Sequence, residues 1–206
     1  MVGRDELRTS VHTKADESVA ANREFFSAYG DRLIDMAEAL AEVFRKEGRL
    51  WTMGNGGSSS DAAHVAVEFN HPVTVGRPAL PAHHLGADMQ LMTALANDVG
   101  FREVFARQIL ALASPSDAVL GLSTSGNSEN LLAAFEAAKR KGALTLAFVG
   151  GDGGRCRDNA SVDYCLTVEH PSVHRVQECH VVAYHILWDL VHTLLSQDRR
   201  PEGGVQ

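Results

Sequence analysis

His64 and Glu68 stand four residues apart in a segment with helical apolar spacing, so an imidazole and a carboxylate share one helix face about one turn apart. Such a pair can hold a borderline metal ion such as Zn²⁺, or the carboxylate can act as a general base. The same spacing also occurs as a plain surface interaction, so the pair alone does not choose. A second polar set, Gln177, Glu178, His180 and His185, interrupts the apolar run from Val176 to Leu195. Gln177 and His185 are eight residues apart, a little over two turns and roughly 80° around a helix axis. Either they flank one site, or His185 is a hydrogen-bonded core histidine. Polar groups in so apolar a helix need partners in both cases.

Two other segments carry chemistry suited to anions. Gly54, Asn55, Gly56 and Gly57 lead into Ser58, Ser59, Ser60 and Asp61, combining backbone freedom with several helix-capping residues. Ser123, Thr124, Ser125, Gly126, Asn127 and Ser128 place four hydroxyls within six residues, just before a helical segment. Hydroxyls, backbone N–H groups and a helix start together suit a phosphate monoester. As plain capped turns the two loops would need fewer hydroxyls, the second especially. Neither is a Walker loop, and the glycine spacing and acidic partner of a dinucleotide site are missing, so no nucleotide cofactor is expected. The run from Gly150 to Gly154 lacks hydroxyls and reads as a plain turn. His83 and His84 point to opposite faces of a strand and read as structural or rim residues. Asn97 and Asp98 follow a helical segment as a stop signal.

The elements that must position these residues alternate. Strands are expected at 50–53, 80–85, 118–122, 144–149 and 164–168, short apolar runs typical of parallel sheets buried on both faces. Helices are expected at 61–69, 88–96, 101–112, 130–141 and 176–195. This texture predicts an α/β fold, an open five-stranded parallel sheet in three layers with helices on both sides. Ligands in such sheets bind beyond the carboxyl ends of the strands, where both unusual loops fall. Ahead of the sheet, residues 1–48 show helical spacing, and Gly30 followed by Asp31 predicts two helices joined by a turn. The expected organisation is a helical extension (1–48), a binding domain (49–195) and a mobile polar tail (196–206).

Composition narrows the function. The formal net charge of −7 disfavours nucleic acid. No run approaches the ~20 apolar residues of a membrane span, and no leader is evident, so a cytoplasmic protein is expected. Cys156, Cys165 and Cys179 lack metal-ligand spacing and read as reduced, mostly buried thiols.

Taken in order, Gly54–Ser58, Asp61–Glu68, Asn97-Asp98, Ser123–Ser128 and Arg175–His180 resemble the phosphoheptose (sedoheptulose-7-phosphate) isomerases of the sugar-isomerase (SIS) domain superfamily. The resemblance spans about residues 15–195. It implies a flavodoxin-like SIS fold with N-terminal helices and a long C-terminal helix, and a homotetramer with active sites at subunit interfaces. The implied metal ligands are His64, Glu68, Gln177 and His185, with zinc as the ion. The implied contacts to a phosphorylated seven-carbon sugar are Asn55, Gly56, Gly57, Glu68, Asn97, Asp98, Ser123, Thr124, Ser125, Ser128 and Gln177. Glu68 would be the catalytic base and His185 its acid partner, in a metal-assisted aldose–ketose isomerisation serving activated heptose synthesis. The chain departs from that family where Phe69-Asn70-His71-Pro72 replaces a frequent Thr-Gly-Arg segment, and where His174 replaces a common aspartate. An isomerase of another phosphorylated sugar is one alternative. A non-catalytic adaptor like the replication initiator-associating proteins is another, but it would have no need of His64, Glu68, Gln177 and His185.

Overall fold

The computed structural model describes residues 2–197. Five apolar runs form the strands Leu50–Gly54 (β1), Ala82–His84 (β2), Ala118–Ser123 (β3), Leu144–Gly150 (β4) and Tyr164–Val168 (β5). All neighbours pair in parallel, in the order β2-β1-β3-β4-β5. Side chains alternate between two cores with the period of two that a strand dictates. Leu120, Leu122, Leu146 and Phe148 enter one core, and Val119, Ala147 and Val149 the other. The first core is covered by Arg4–Arg45 (α1), Gly57–Asn70 (α2) and Val173–Gln197 (α6). Met89–Asp98 (α3), Ala106–Leu112 (α4) and Glu129–Lys141 (α5) lie along the second.

β1 has β2 on one side and β3 on the other, so the connections leaving β1 and β3 diverge at their carboxyl ends. That divergence opens a crevice, the place where open α/β sheets bind ligands. Both unusual loops of the sequence leave these two strands.

Several expected elements differ, α2 among them, which starts at Gly57 rather than at 61. α1 is one helix of 42 residues, not two. Phe25, Tyr29, Leu33, Met36, Leu40 and Phe44 form one in-phase stripe on the core across Gly30. A single glycine costs about 1 kcal/mol in a helix, less than breaking that stripe. The β2 strand is shorter than expected because Pro81 has no N–H and β2 lies at the sheet edge. Residues 101–112 divide into a 3₁₀ turn, Phe101–Glu103, and α4. There the Gln108 side chain donates to both Val104 O and Leu85 O. α6 continues to Gln197, past the expected end at Leu195, and the remainder of the expected tail lies outside the described residues.

The end of α1 explains an unusual residue. Gly48 N bonds Val43 O and Glu47 N bonds Phe44 O, the paired bonds of a Schellman close. The left-handed position is taken by Glu47, at φ 58°. Gly48 follows because a β-carbon there would lie 1.9 Å from Ser116 O. A left-handed residue with a side chain costs about 1–2 kcal/mol, partly offset by glycine's greater entropy loss on folding. Glu47→Gly is therefore expected to stabilise the fold by about 0.5–1 kcal/mol in denaturant titration.

Candidate active site

β1 ends at Gly54, and the chain turns through Asn55 and Gly56 into α2, which starts at the carboxyl edge of the sheet. α6 runs beside α2 in the same direction. Gly57 faces the Gln177 amide, His64 Nδ1 meets the Tyr184 hydroxyl, and Trp188 Nε1 donates to Glu68 O, each pair 120 residues apart in sequence. The two helices hold one register over about three turns.

Three candidate ligands meet along that register. His64 Nε2 lies 3.0 Å from Glu68 Oε1, and His185 Nε2 lies 4.0 Å from the same oxygen. One donor atom from each residue falls within 4.8 Å of the others. Neighbouring ligands on a tetrahedral Zn²⁺ at ~2.0–2.1 Å are about 3.3 Å apart, so the observed spacing brackets what the ion needs. Two imidazole nitrogens and one carboxylate oxygen are the donor set of a three-ligand zinc site with an open position. Both imidazoles are partly exposed, at 44% and 41% of the side chain, so the site opens outward. Gln177 does not join them within one chain. Eight residues before His185, it sits about 12 Å away along the helix axis, and its amide lies against Gly57.

Gln177 belongs instead to the helix starts. Gly150 packs against both Val176 and the Thr124 carbonyl, bringing the first turn of α6 to the serine loop. In that loop Ser123 Oγ accepts from Gly126 N at 3.1 Å and faces Ser128 Oγ at 3.2 Å. Ser128 is the extended N-cap of α5 but does not use its hydroxyl as a cap. The Ser125 hydroxyl is exposed and accepts from Asn127 N. The two loops are tied together by Asn55 and Asn130, whose amides exchange two hydrogen bonds of 2.9 Å. Hydroxyls and a helix start are thus gathered at one end of the α2–α6 pair, and two imidazoles and a carboxylate further along it.

This arrangement has close counterparts among known proteins. The family model of the SIS domain matches residues 15–150. A phosphoheptose isomerase of Chlorobaculum tepidum is 44% identical over 171 residues, 82% of this chain and 81% of its own. The chain belongs to the phosphoheptose isomerase family. It is an enzyme of the isomerase class. Solved phosphoheptose isomerase structures from Neisseria gonorrhoeae and Francisella tularensis match with TM-scores of 0.83 and 0.84, at 32% and 30% identity. They cover 91% and 94% of this chain, and 99% and 100% of their own.

Other candidate residues lie outside these two groups. Asn97 and Asp98 end α3, where both are exposed and bonded to each other at 2.8 Å. Among the described residues no hydrogen bond joins them to either group. His84 bonds Ser59 Oγ and Thr52 O, and burial lowers its pKa, so it braces β2 against α2 as a neutral ring. His180 is fully buried with its pKa pushed down to about 4, chiefly by desolvation, while its Nε2 meets Val149 O. Burial raises the Cys156 and Cys179 thiols to about 12, which leaves them inert.

Spacing did not reveal four contributors: Tyr184, Trp188, Asn130 and the turn from Gly150 to Gly154. That turn forms the floor of the serine loop. Cys156 N donates to Gly126 O, Arg155 N donates to Asn127 Oδ1, and a β-carbon on Gly126 would lie 1.9 Å from Gly153 O. Gly126, at φ 62°, is thus required twice over.

The amide pair yields a stability test. Asn130 is 2% exposed, and leaving a buried polar group unpaired costs about 1–3 kcal/mol. Asn55→Ala and Asn130→Ala are each expected to destabilise by about that amount, and the double variant by clearly less than the sum. Urea unfolding of all four proteins checks it.

Proposed function

We propose that this enzyme converts sedoheptulose 7-phosphate to D-glycero-D-manno-heptose 7-phosphate, supplying activated heptose synthesis. The observation that carries this reading is the meeting of Glu68 and His185, from distant parts of the chain, at 4.0 Å. Aldose–ketose isomerisation needs a base and an acid over two neighbouring carbons. In the proposed mechanism Glu68 removes a proton from C1 while His185 gives one to the C2 carbonyl oxygen, forming the enediol. Glu68 then returns its proton to C2 as His185 takes one from the C1 hydroxyl, leaving the carbonyl on C1. Glu68 Oε1 faces both imidazoles, which leaves Oε2 for the proton. His64, Glu68 and His185 would hold a Zn²⁺ ion, His185 through one ring nitrogen with the other left to exchange the proton, and the ion when bound would supply a Lewis acid for the carbonyl oxygen.

The phosphate is assigned to the helix starts, among Asn55, Gly56, Gly57, Ser123, Thr124, Ser125, Ser128 and Gln177. Anion binding there needs few cations, because backbone N–H groups and the helix end supply the positive potential. Binding energy gained at that end fixes the carbon end in register with Glu68.

A homotetramer is part of this proposal, with each site completed by a neighbouring chain. Residues 4–20 of α1 include none that are buried, so about two-fifths of that helix sinks no side chain into its own chain. Val19 and Phe26 of α1 and Val182 and Ile186 of α6 line an apolar groove beside it. In an assembly, Asn97 and Asp98 would reach a neighbour's sugar. The division into a helical extension (1–48) and a sugar-phosphate-binding domain from 49 onward, its last helix running to Gln197, follows from this reading. We place the enzyme in the cytoplasm: its three cysteines are unpaired, and no described helix is long and apolar enough to cross a membrane.

Three measurements test the proposal. Incubation with a panel of ketose phosphates, followed by NMR, is expected to show aldose formation from the seven-carbon substrate. Glu68→Gln should lower kcat by about 10²–10⁴-fold while substrate still binds; full activity in that variant would remove Glu68 as the base. Light scattering is expected to give a mass four times the 22.2 kDa chain. A monomer at micromolar concentration would overturn the shared site.

A further inference from the structure

Tyr184 has no part in the isomerisation as assigned, yet it touches the reacting groups from inside the protein. It precedes His185 on α6, is 1% exposed, and its hydroxyl lies 2.7 Å from His64 Nδ1. Its ring meets His64 edge-on at 5.4 Å between centroids and lies 4.7 Å from the His185 ring. One phenol therefore contacts both imidazoles of the cluster.

A neutral imidazole carries its proton on one nitrogen, and a partner at that nitrogen decides what the other presents. With Nδ1 turned to Tyr184, Nε2 points at Glu68 Oε1. Two polarities are open. If Nδ1–H donates to the phenol oxygen, Nε2 keeps its lone pair and can ligate. If the phenol donates to Nδ1, the proton sits on Nε2 and His64 cannot ligate. The first requires another acceptor for the phenol proton. Asp61 stands three residues before His64 on α2, and its Oδ2 is buried without a hydrogen-bond partner. No hydrogen bond joins the Asp61 and Tyr184 side chains, and this unpaired carboxylate oxygen is the acceptor to which the phenol proton would turn. A phenol hydroxyl has one proton to donate and lone pairs to accept with, so Tyr184 can accept and donate at once.

We propose that Tyr184 is a positioning residue that presents His64 Nε2, as a lone-pair donor, to a divalent metal ion shared with Glu68 and His185. This rests on the metal-assisted reading above. Partners behind a metal-bound histidine fix its tautomer and ring orientation, and their loss typically costs 10–100-fold in metal affinity.

The test is Zn²⁺ affinity of the full chain, measured by competition with a chromophoric chelator, for the wild type, Tyr184→Phe and His64→Ala. Phenylalanine keeps the ring packing and removes only the hydroxyl. Tyr184→Phe is expected to bind Zn²⁺ about 10–100-fold more weakly, with an altered Co²⁺ absorption spectrum and an unchanged melting temperature of the metal-free protein. Equal or tighter binding would overturn the role of Tyr184 and establish the opposite polarity. Weaker binding with the wild-type Co²⁺ spectrum would also overturn it, since loosened packing would then be the cause. A wild-type protein that binds no Zn²⁺, or a His64→Ala variant that binds it equally, would sink the metal site itself and this inference with it.

Discussion

The parallel contact between α2 and α6 is the constraint on which the chemistry depends. His64 and Glu68 come from one helix and His185 from another more than a hundred residues later, and only a fixed register brings them together. Apolar packing sets that register. Ala62, Val65, Ala66 and Phe69 on α2, and Cys179, Ala183 and Leu187 on α6, are all buried in one core. Burying a large apolar side chain is worth about 1.5–3 kcal/mol, against about 1 kcal/mol net for a hydrogen bond. Burial therefore holds the helices together. The bonds from Tyr184 to His64 and from Trp188 to Glu68 O then select among nearby registers. A slip of one residue would rotate either helix by about 100° and separate the cluster.

The second group of residues answers to a different constraint, the switch in strand order between β1 and β3. Because the chain leaves those strands in opposite directions, two loops rich in glycine and hydroxyls face each other across the crevice. The Asn55–Asn130 amide pair closes the gap between them. The serine loop rests on the turn after β4, so β1, β3 and β4 all contribute to its shape. In the proposed enzyme this separates two tasks. Anion binding at the rigid helix starts supplies orientation, and the cluster along the helices acts on the carbons. Binding energy from the non-reacting end of a substrate serves catalysis only if the two ends are held at a fixed distance. The α2–α6 register provides that distance.

Much of this was legible in the sequence, for physical reasons that differ by residue. Buried parallel strands are short apolar runs, so all five were visible, and β2 was overextended only because Pro81 ends its pairing early. His64 and Glu68 were visible as a pair because an i,i+4 spacing fixes geometry without knowledge of the fold. His185 was visible only as a polar residue in an apolar helix, and which of its two readings held depended on where α6 docks. Tyr184, Trp188 and Asn130 left no local signal, since each matters through a partner 75 or 120 residues away. Gly30 misled because a helix breaker in isolation is outweighed by an uninterrupted apolar stripe. The turn from Gly150 to Gly154 was read as plain because its function is carried by backbone atoms, which composition does not display.

The segment after Glu68, where the sequence departs from its family, lies in the scaffold behind the cluster. Phe69 is fully buried and packs against Phe44 and His192. The Asn70 amide accepts from Ala82 N at 3.2 Å and donates to Ala82 O, acting as a partner for the outer edge of β2. An edge strand with unpaired N–H and C=O groups is open to pairing with another chain, and this side chain blunts it. Further on, Arg77 lies over the Trp188 ring at 4.5 Å and pairs with Asp189. Trp188 is the residue whose indole N–H holds the Glu68 carbonyl. Glu68 is thus held from behind twice: through the chain direction that Phe69 imposes at the end of α2, and through the indole that Arg77 covers, which bonds the Glu68 main-chain carbonyl. In the proposed enzyme a substitution here would act on the aim of Glu68, whereas a change of sugar contacts would come from the loops at the helix starts.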